Sequence, residues 1–297
     1  MKRLQSLDLT GTKVTDAGLE NLRDLRELRY LRLDQTSVTG AGLVHLTQLQ
    51  ILSLAGCQKE TAAGLASLNG LTQLRWLNLG AGTVNSAEMV YLKDLTQLRA
   101  LNLSTPWVTD PGMVNLKNMK QLQSLDLADA QVTDAGMVNL KGLTQLHSLD
   151  LWGTKVTGAG LQNVTGVEHL NLGFRPTDAD LFYLKQLTQL QSLSLGGNTK
   201  ITDGGLVNLR ELKQLQCLDF QGCTRITDAG LANLRELPQL QSINLRDCAH
   251  ITDAGMVNLT GLAQLKSLNL SGTRVRGAGL DMLEKALPNC EITLQPG

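Results

Sequence analysis

Leu215-Gln216-Cys217-Leu218-Asp219-Phe220-Gln221-Gly222-Cys223-Thr224-Arg225-Ile226-Thr227-Asp228-Ala229-Gly230-Leu231 sets the frame for the whole chain, because it returns 25 residues later as Leu240-Gln241-Ser242-Ile243-Asn244-Leu245-Arg246-Asp247-Cys248-Ala249-His250-Ile251-Thr252-Asp253-Ala254-Gly255-Met256. Apolar residues hold the first, fourth and sixth places, a cysteine the ninth, and Thr-Asp-Ala-Gly closes the stretch. Outward from it, blocks starting at Leu4, Leu28, Leu49, Leu74, Leu98, Leu122, Leu146, Val167, Leu190, Leu215, Leu240 and Leu265 follow the same L-x-x-L-x-L frame, at steps of 21 to 25 residues. A period of this length marks a stacked repeat array and falls in the leucine-rich-repeat range of roughly 20–29 residues.

In each block the alternation of apolar and polar places reads as a short strand, and the later apolar spacing as a coil and then a helix. Thr15-Asp16, Thr109-Asp110, Thr133-Asp134, Thr202-Asp203, Thr227-Asp228 and Thr252-Asp253 read as helix N-cap signals, and Pro111 suits a first helical position. One block cannot bury its own apolar face, so neighbours must stack strand on strand about 4.8 Å apart. The expected fold is an α/β solenoid, an arc or horseshoe, with a parallel β-sheet on the concave face and short helices on the convex face. It is expected to form a single domain over residues 1–297, twelve units with a C-terminal cap at 280–297 in which Glu291-Ile292-Thr293-Leu294 forms a further strand. The leucines of the first unit have no preceding repeat to cover them. Self-association through that edge, or a chain that is part of something longer, is therefore expected.

Composition excludes several classes. Lys plus Arg and Asp plus Glu both number 27, so no chain-wide positive field is available for nucleic acid. No apolar run approaches the roughly 20 residues of a membrane span, and Met1-Lys2-Arg3 leads directly into an alternating segment. With five cysteines in no paired spacing, reduced thiols and a cytoplasmic location are expected. Aromatics make up only 3% of a chain that is 42% hydrophobic, so small branched side chains must fill the core.

The Leu215–Leu231 and Leu240–Met256 stretches resemble the cysteine-containing leucine-rich repeats of F-box-type proteins. Most units instead carry a form such as Gly11-Thr12-Lys13-Val14-Thr15-Asp16-Ala17-Gly18-Leu19, which resembles the variant of bacterial, planctomycete-type proteins. No F-box sequence precedes the repeats, so no ubiquitin-ligase role is carried over. The resemblance implies an arc used for protein recognition and names no partner. In such solenoids the ninth position turns inward; here it runs Thr12, Thr36, Cys57, Gly82, Pro106, Ala130, Thr154, Arg175, Asn198, Cys223, Cys248 and Thr273, and a hydrogen-bonding ladder is expected of it. Cys223 and Cys248 should stack within disulfide range, and Cys217 falls on the open face of its strand.

The chain holds no phosphate loop, no H-E-x-x-H and no C-x-x-C. His147, Asp150, Glu168 and His169 share a stretch of the repeat register in which a metal or an acid–base pair has suitable residue types. Histidines on a polar face are usually only solvated, so no catalytic residue, metal or cofactor is expected and the chain is read as a non-enzyme. The alternatives are a regulatory or metal-dependent enzyme part built on those four residues, or a spacer without a specific ligand.

Binding positions are better marked. The third, fifth, seventh and eighth places of each unit face the concave side or its rim. They carry Asp8, Asp34, Asp126, Asp129, Asp150, Asp219 and Asp247 against Arg32 and Arg246. Polar cover for exposed strands and preference for a basic partner are both open readings of this excess. Trp76, Tyr91, Trp107, Trp152, Phe174, Phe182 and Tyr183 cluster in the middle of the chain. Tyr91, Phe182 and Tyr183 are expected to pack on the convex side. The same stretch departs from the repeat: Gly80 to Met89 lacks the Thr-Asp pair, Ser104-Thr105-Pro106-Trp107 replaces the usual turn, and the convex segment from Leu161 to Val167 is shortened. The expected site comprises Trp76, Asn78, Asn102, Trp107, Asp126, Asp129, Asp150, Trp152, Asn171 and Phe174, taking a protein or peptide that bears Lys or Arg across units four to eight.

Overall fold

The computed structural model describes residues 3–57, 62–173 and 176–295. The chain divides into two compact units, Met1–Lys155 and Val156–Gly297. In the first, β1 (Ser6–Asp8), β2 (Tyr30–Arg32), β3 (Ile51–Ser53), β4 (Trp76–Asn78), β5 (Ala100–Asn102), β6 (Ser124–Asp126) and β7 (Ser148–Asp150) follow one another. Each pairs in parallel with the next at matching repeat positions, so Leu7, Leu31, Leu52, Leu77, Leu101, Leu125 and Leu149 fall in line. The second unit does the same with β8 (His169–Asn171), β9 (Ser192–Ser194), β10 (Cys217–Asp219), β11 (Ser242–Asn244), β12 (Ser267–Asn269) and β13 (Glu291–Thr293).

The middle residue of almost every strand is buried and the flanking two look outward, as a period of two dictates. Each leucine stacked this way contributes about 1.5–3 kcal/mol of apolar burial. Among the described residues Phe220 is the one aromatic in this core. The two ends fall short of full burial: Ile292 on β13 is half-buried, and Leu7, Leu9 and Val14 of the first repeat stay half-buried, whereas Leu31, Leu33 and Val38, their equivalents one repeat on, are fully buried.

Convex segments are mostly single four-residue α-turns that tighten into 3-10 turns, such as Asp203–Leu206 followed by Val207–Leu209. Both units of 21 residues, starting at Leu28 and Leu146, have 3-10 turns alone, Ala41–Leu43 and Gly158–Asn163. The ten-residue helix Gly277–Ala286 and β13 form the C-terminal elements.

The Thr-Asp pairs divide their labour differently from the sequence expectation. In four of the six pairs the threonine caps its own helix: Thr133, Thr202, Thr227 and Thr252 each accept the backbone N–H two residues on, whereas Thr15 and Thr109 make no side-chain cap. The aspartate crosses to the next repeat. Asp203 accepts the Thr227 N–H at 2.8 Å and its hydroxyl at 2.6 Å. Asp228 does the same for Thr252, Asp178 for Thr202 and Asp110 for Thr133. This clasp explains the glycine of Thr-Asp-Ala-Gly: a Cβ on Gly230 would fall on the Asp203 carboxylate, and one on Gly255 on that of Asp228.

Departures from the motif keep the clasp by other means. In the Gly80–Met89 stretch, where the Thr-Asp pair is missing, Asn85 accepts the Ala87 N–H at 2.9 Å, and Ser86 Oγ takes the Thr109 N–H at 2.8 Å. The segment is re-equipped, not decayed. At Gly158 the pair is inverted: glycine holds the aspartate's place, and Asp180, in the next repeat's glycine place, accepts the Gly158 N–H at 2.8 Å.

Candidate binding surface

The inward ninth position forms the expected ladder. Cys57, Cys223 and Cys248 each donate their thiol to a carbonyl of the preceding repeat, Leu33, Leu195 and Phe220, at 3.2 Å. All three are buried free thiols, and burial pushes Cys223 and Cys248 up to about 12, far from reactivity at neutral pH. Thr36, Thr154 and Thr273 donate to carbonyls three residues back. Asn198 donates to the Pro176 carbonyl at 2.9 Å. In the fifth unit the inward residue is Thr105, which is buried and bonded to the Gly82 carbonyl; Pro106 is exposed, so the expected frame is off by one there. Arg175 lies outside the described residues. Cys217 is exposed on β10, as its register implied.

The fifth position has a structural duty that the sequence reading missed. Asn78, Asn102, Asp126, Asp150 and Asn171 each turn a side-chain oxygen to the backbone N–H two residues on, at 2.8–3.2 Å. Such Asx turns end the strand, which is why Asp and Asn recur there. Asp126 is the most committed: its second oxygen accepts the Asn102 amide at 2.8 Å. Burial raises its carboxyl above the usual range against the pull of the Ala128 N–H, and Asp150 and Asp129 add to the rise.

Three of the seven counted acids belong to other structure. Asp34 is buried, accepting the Ala55 N–H at 3.0 Å and the Arg32 guanidinium at 2.8 Å. Asp129, at φ 61°, and Asp247, at φ 60°, occupy a left-handed turn position that glycine fills elsewhere, as Gly153 and Gly222 do. Part of the acidic excess is thus turn chemistry.

Of the expected aromatic anchors, Trp76 is half-buried on β4, Trp152 is half-buried just beyond β7, and Trp107 is 57% exposed at the rim. These three, with Asn78, Asn102, Asp126, Asp129 and Asp150, belong to the first unit; Asn171 is on β8 of the second. Phe174 lies outside the described residues. Phe182 is not a packing residue: it is 50% exposed on the convex side, edge-on to Tyr183, with Lys185 Nζ 3.4 Å from its ring centre. His147 and Asp150 fall in the first unit, Glu168 and His169 in the second. Among the described residues no three His, Cys, Asp or Glu side chains are grouped to hold a metal, and no helix is long and apolar enough to cross a membrane. Tyr30, which the sequence reading passed over, stands on the concave face beside Ile51 and Trp76.

A family model described as "Leucine Rich repeat" matches residues 3–22, 119–141, 186–209, 213–234 and 237–259. The fold is that of a leucine-rich-repeat protein. Solved structures with this fold include an internalin (inlF) of Listeria monocytogenes, 24% identical, with a TM-score of 0.71 over 99% of this chain and 87% of that one. Internalin C2 (inlC2) of the same organism is 24% identical, with a TM-score of 0.55 over 79% of this chain and 92% of that one. A chain of the mouse RP105/MD-1 complex is 21% identical, with a TM-score of 0.67 over 98% of this chain and 50% of that one. No curated protein matches the sequence. Leucine-rich-repeat proteins generally act in protein–protein recognition, and the fold is a typical non-enzymatic binding scaffold.

Proposed function

We propose that the chain is a non-catalytic protein- or peptide-recognition module that binds through the concave face and strand-end rim of its central repeats. One observation carries the reading: three tryptophans occupy open concave or rim positions, Trp107 with 57% of its surface exposed, where most other repeats carry no ring. Large accessible rings on a rigid scaffold are the side chains that dominate interface energies. Trp76, Trp107 and Trp152 are the apolar anchors in this reading, with Phe174 beside them. Asp129 and Asp150 steer basic groups of the partner; Asn78 offers the amide NH2 that its Asx turn leaves over, Asn102, whose NH2 is bonded to Asp126, and Asn171 share its repeat position, and Asp126 contributes to the local field.

The test is partner affinity for Trp152→Ala, Trp107→Ala and Asp129→Asn at low and high salt, after thermal unfolding confirms folding. Loss of a true anchor costs about 2 kcal/mol or more, roughly thirtyfold in Kd. Asp129→Asn keeps a residue suited to the left-handed turn, so its effect should be confined to a slower, less salt-dependent association. Binding unchanged in all three variants but abolished by substitutions on the convex turns would mean that the opposite face is used.

A further inference from the structure

Across β2, β3 and β4 the concave face opens into a slot of about 490 Å3, lined by Tyr30, Arg32, Ile51, Ser53, Trp76 and Asn78. The strand register sorts these residues into two rows. Tyr30, Ile51 and Trp76 are successive third-position residues and make an apolar row; Arg32, Ser53 and Asn78 are successive fifth-position residues and make a polar one. On β9 to β12 of the second unit the third-position residues are Ser192, Cys217, Ser242 and Ser267, so the repeat itself demands no rings there.

The polar row contains an anomaly. Ser53 is 1% exposed, and its hydroxyl is the one buried side-chain oxygen or nitrogen among the described residues with no hydrogen-bond partner. Leaving such a group unpaired costs about 1–3 kcal/mol, so a scaffold residue would be expected to avoid it. Beside it, Asn78 spends its carbonyl oxygen on the Gly80 N–H at 2.9 Å, which leaves the NH2 half to be met by a ligand. Arg32 is held by Asp34 at 2.8 Å and lies 3.6 Å from Asp8. One guanidinium against two carboxylates leaves the neighbourhood at net −1. The slot therefore offers hydrogen-bond donors in a field that repels anions.

We infer that this slot receives one large apolar side chain of a polypeptide partner, seated on Tyr30, Ile51 and Trp76, with an uncharged backbone carbonyl turned to Ser53 and Asn78. Lys or Arg next to that residue in the partner suits the net charge at Asp8 and Asp34. The inference rests on the recognition reading above but extends the anchor row from Trp76 back onto the two repeats before the central ones. The volume is within the roughly 300–1,000 Å3 usual for a ligand pocket and exceeds what a single methyl or hydroxymethyl group would fill.

The probe is N-acetyl-phenylalaninamide, which combines a ring with neutral carbonyls, and the readout is the three tryptophan indole N–H signals in nitrogen-15 NMR. Trp76 should shift saturably with a Kd on the order of 1 mM, as befits a fragment of this size, while Trp107 and Trp152 do not. N-acetyl-alaninamide and the anionic N-acetyl-phenylalanine should both bind more weakly. Ile51→Ser, which installs the residue found at this position on β6 and β7, should abolish the shift. Ser53→Ala should weaken binding about fivefold, the value of one neutral hydrogen bond. Ser53→Ala should also raise the unfolding temperature of the free protein, since it removes an unsatisfied buried group.

A Trp76 signal that never moves, a shift indifferent to Ile51→Ser and Ser53→Ala, or a lowered unfolding temperature for Ser53→Ala overturns the assignment. A shift at Trp107 or Trp152 instead overturns it and leaves the central-repeat reading standing. A Trp76 response as described, with partner affinity unchanged in Trp152→Ala and Trp107→Ala, does the reverse.

Discussion

From Asp178 to Gly255 the second unit holds its convex turns with one device used three times, an aspartate lodged against the next repeat's threonine and glycine. Between Asp16 and Thr109 the first unit uses several. Asp16 gathers the N–H groups of Thr39, Gly40 and Gly42; Ser67 donates to the Gly40 carbonyl at 2.6 Å; Ser86 stands in for aspartate against Thr109. The concave faces differ in the same sense: Ser192, Cys217, Ser242 and Ser267 line the uniform region, whereas Tyr30, Ile51 and Trp76 line the varied one. A buried turn N–H must find an acceptor, and any geometry that supplies one is tolerated. The outward third strand positions carry no such obligation, so their side chains can serve a ligand.

The largest effect that would break this comparison comes from the glycine of the clasp. A Cβ on Gly230 would sit 3.0 Å from Asp203 Cγ and 3.1 Å from Leu206 Cδ1, so Gly230→Ala should cost about 2–4 kcal/mol. Gly261, with nothing within 4 Å of a Cβ, is the control: Gly261→Ala should be neutral or slightly stabilising. Equal urea midpoints for the two variants would show that the clasp does not need its glycine.

Next in size is Asp203→Ala, which strips Thr227 of acceptors at 2.8 and 2.6 Å and should cost about 1.5–3 kcal/mol. Since it also clears the space that a Gly230 side chain would need, Asp203→Ala with Gly230→Ala should be less damaging than the sum of the two, by about 1 kcal/mol in a double-mutant cycle. Ser86→Ala in the first unit, where the acceptor is uncharged, should cost about 1 kcal/mol. Strict additivity in the cycle would separate the aspartate from the glycine.

A smaller and pH-dependent effect belongs to the inverted pair. Burial alone would raise Asp180, but the N–H groups of Gly158 and Thr177 and the Thr177 hydroxyl outweigh it and hold the carboxyl below its ordinary 3.8. A lowered folded-state value means that the charged form stabilises the fold at pH above the unfolded value, and that this contribution is lost as pH falls through the folded one. The gap in urea midpoint between the parent and Asp180→Asn should be widest near neutrality and close as pH falls below the carboxyl's ordinary 3.8 and through its lowered folded-state value. A gap that widens on acidification would have the wrong sign.

The smallest effect concerns the thiols. At pH 7.5 iodoacetamide should modify exposed Cys217 first and leave Cys223 and Cys248, buried and pushed up to about 12, untouched in the native protein. Cys217→Ser should change stability by no more than about 0.5 kcal/mol, since β9 and β11 carry serine at that position. Native labelling of Cys223 at a comparable rate would mean that its repeat opens locally.

By itself the sequence determined the repeat frame, the inward leucines and the threonine caps, because each follows from periodicity or from a residue acting within its own repeat; the cysteine ladder, whose thiols bond to the preceding repeat, was implied by the resemblance. It also placed Trp76, Trp107 and Trp152 on open positions, although Tyr30 was overlooked for lying outside the aromatic cluster. The Gly158–Asp180 inversion was legible too, as aspartate and glycine exchanging columns in adjacent blocks, but only to a reader who already knew that the two columns touch. That knowledge came from tertiary structure. A carboxylate 24 residues from its threonine, as Asp203 is from Thr227, is a neighbour only once stacking sets the offset between repeats. The fifth-position Asp and Asn residues likewise looked free until the strand ends were seen to turn back on them. Stacking also decided that Tyr30, Ile51 and Trp76, unremarkable one at a time, form one wall above an unpartnered Ser53, because a shared surface is a property of adjacent strands and no single repeat contains it.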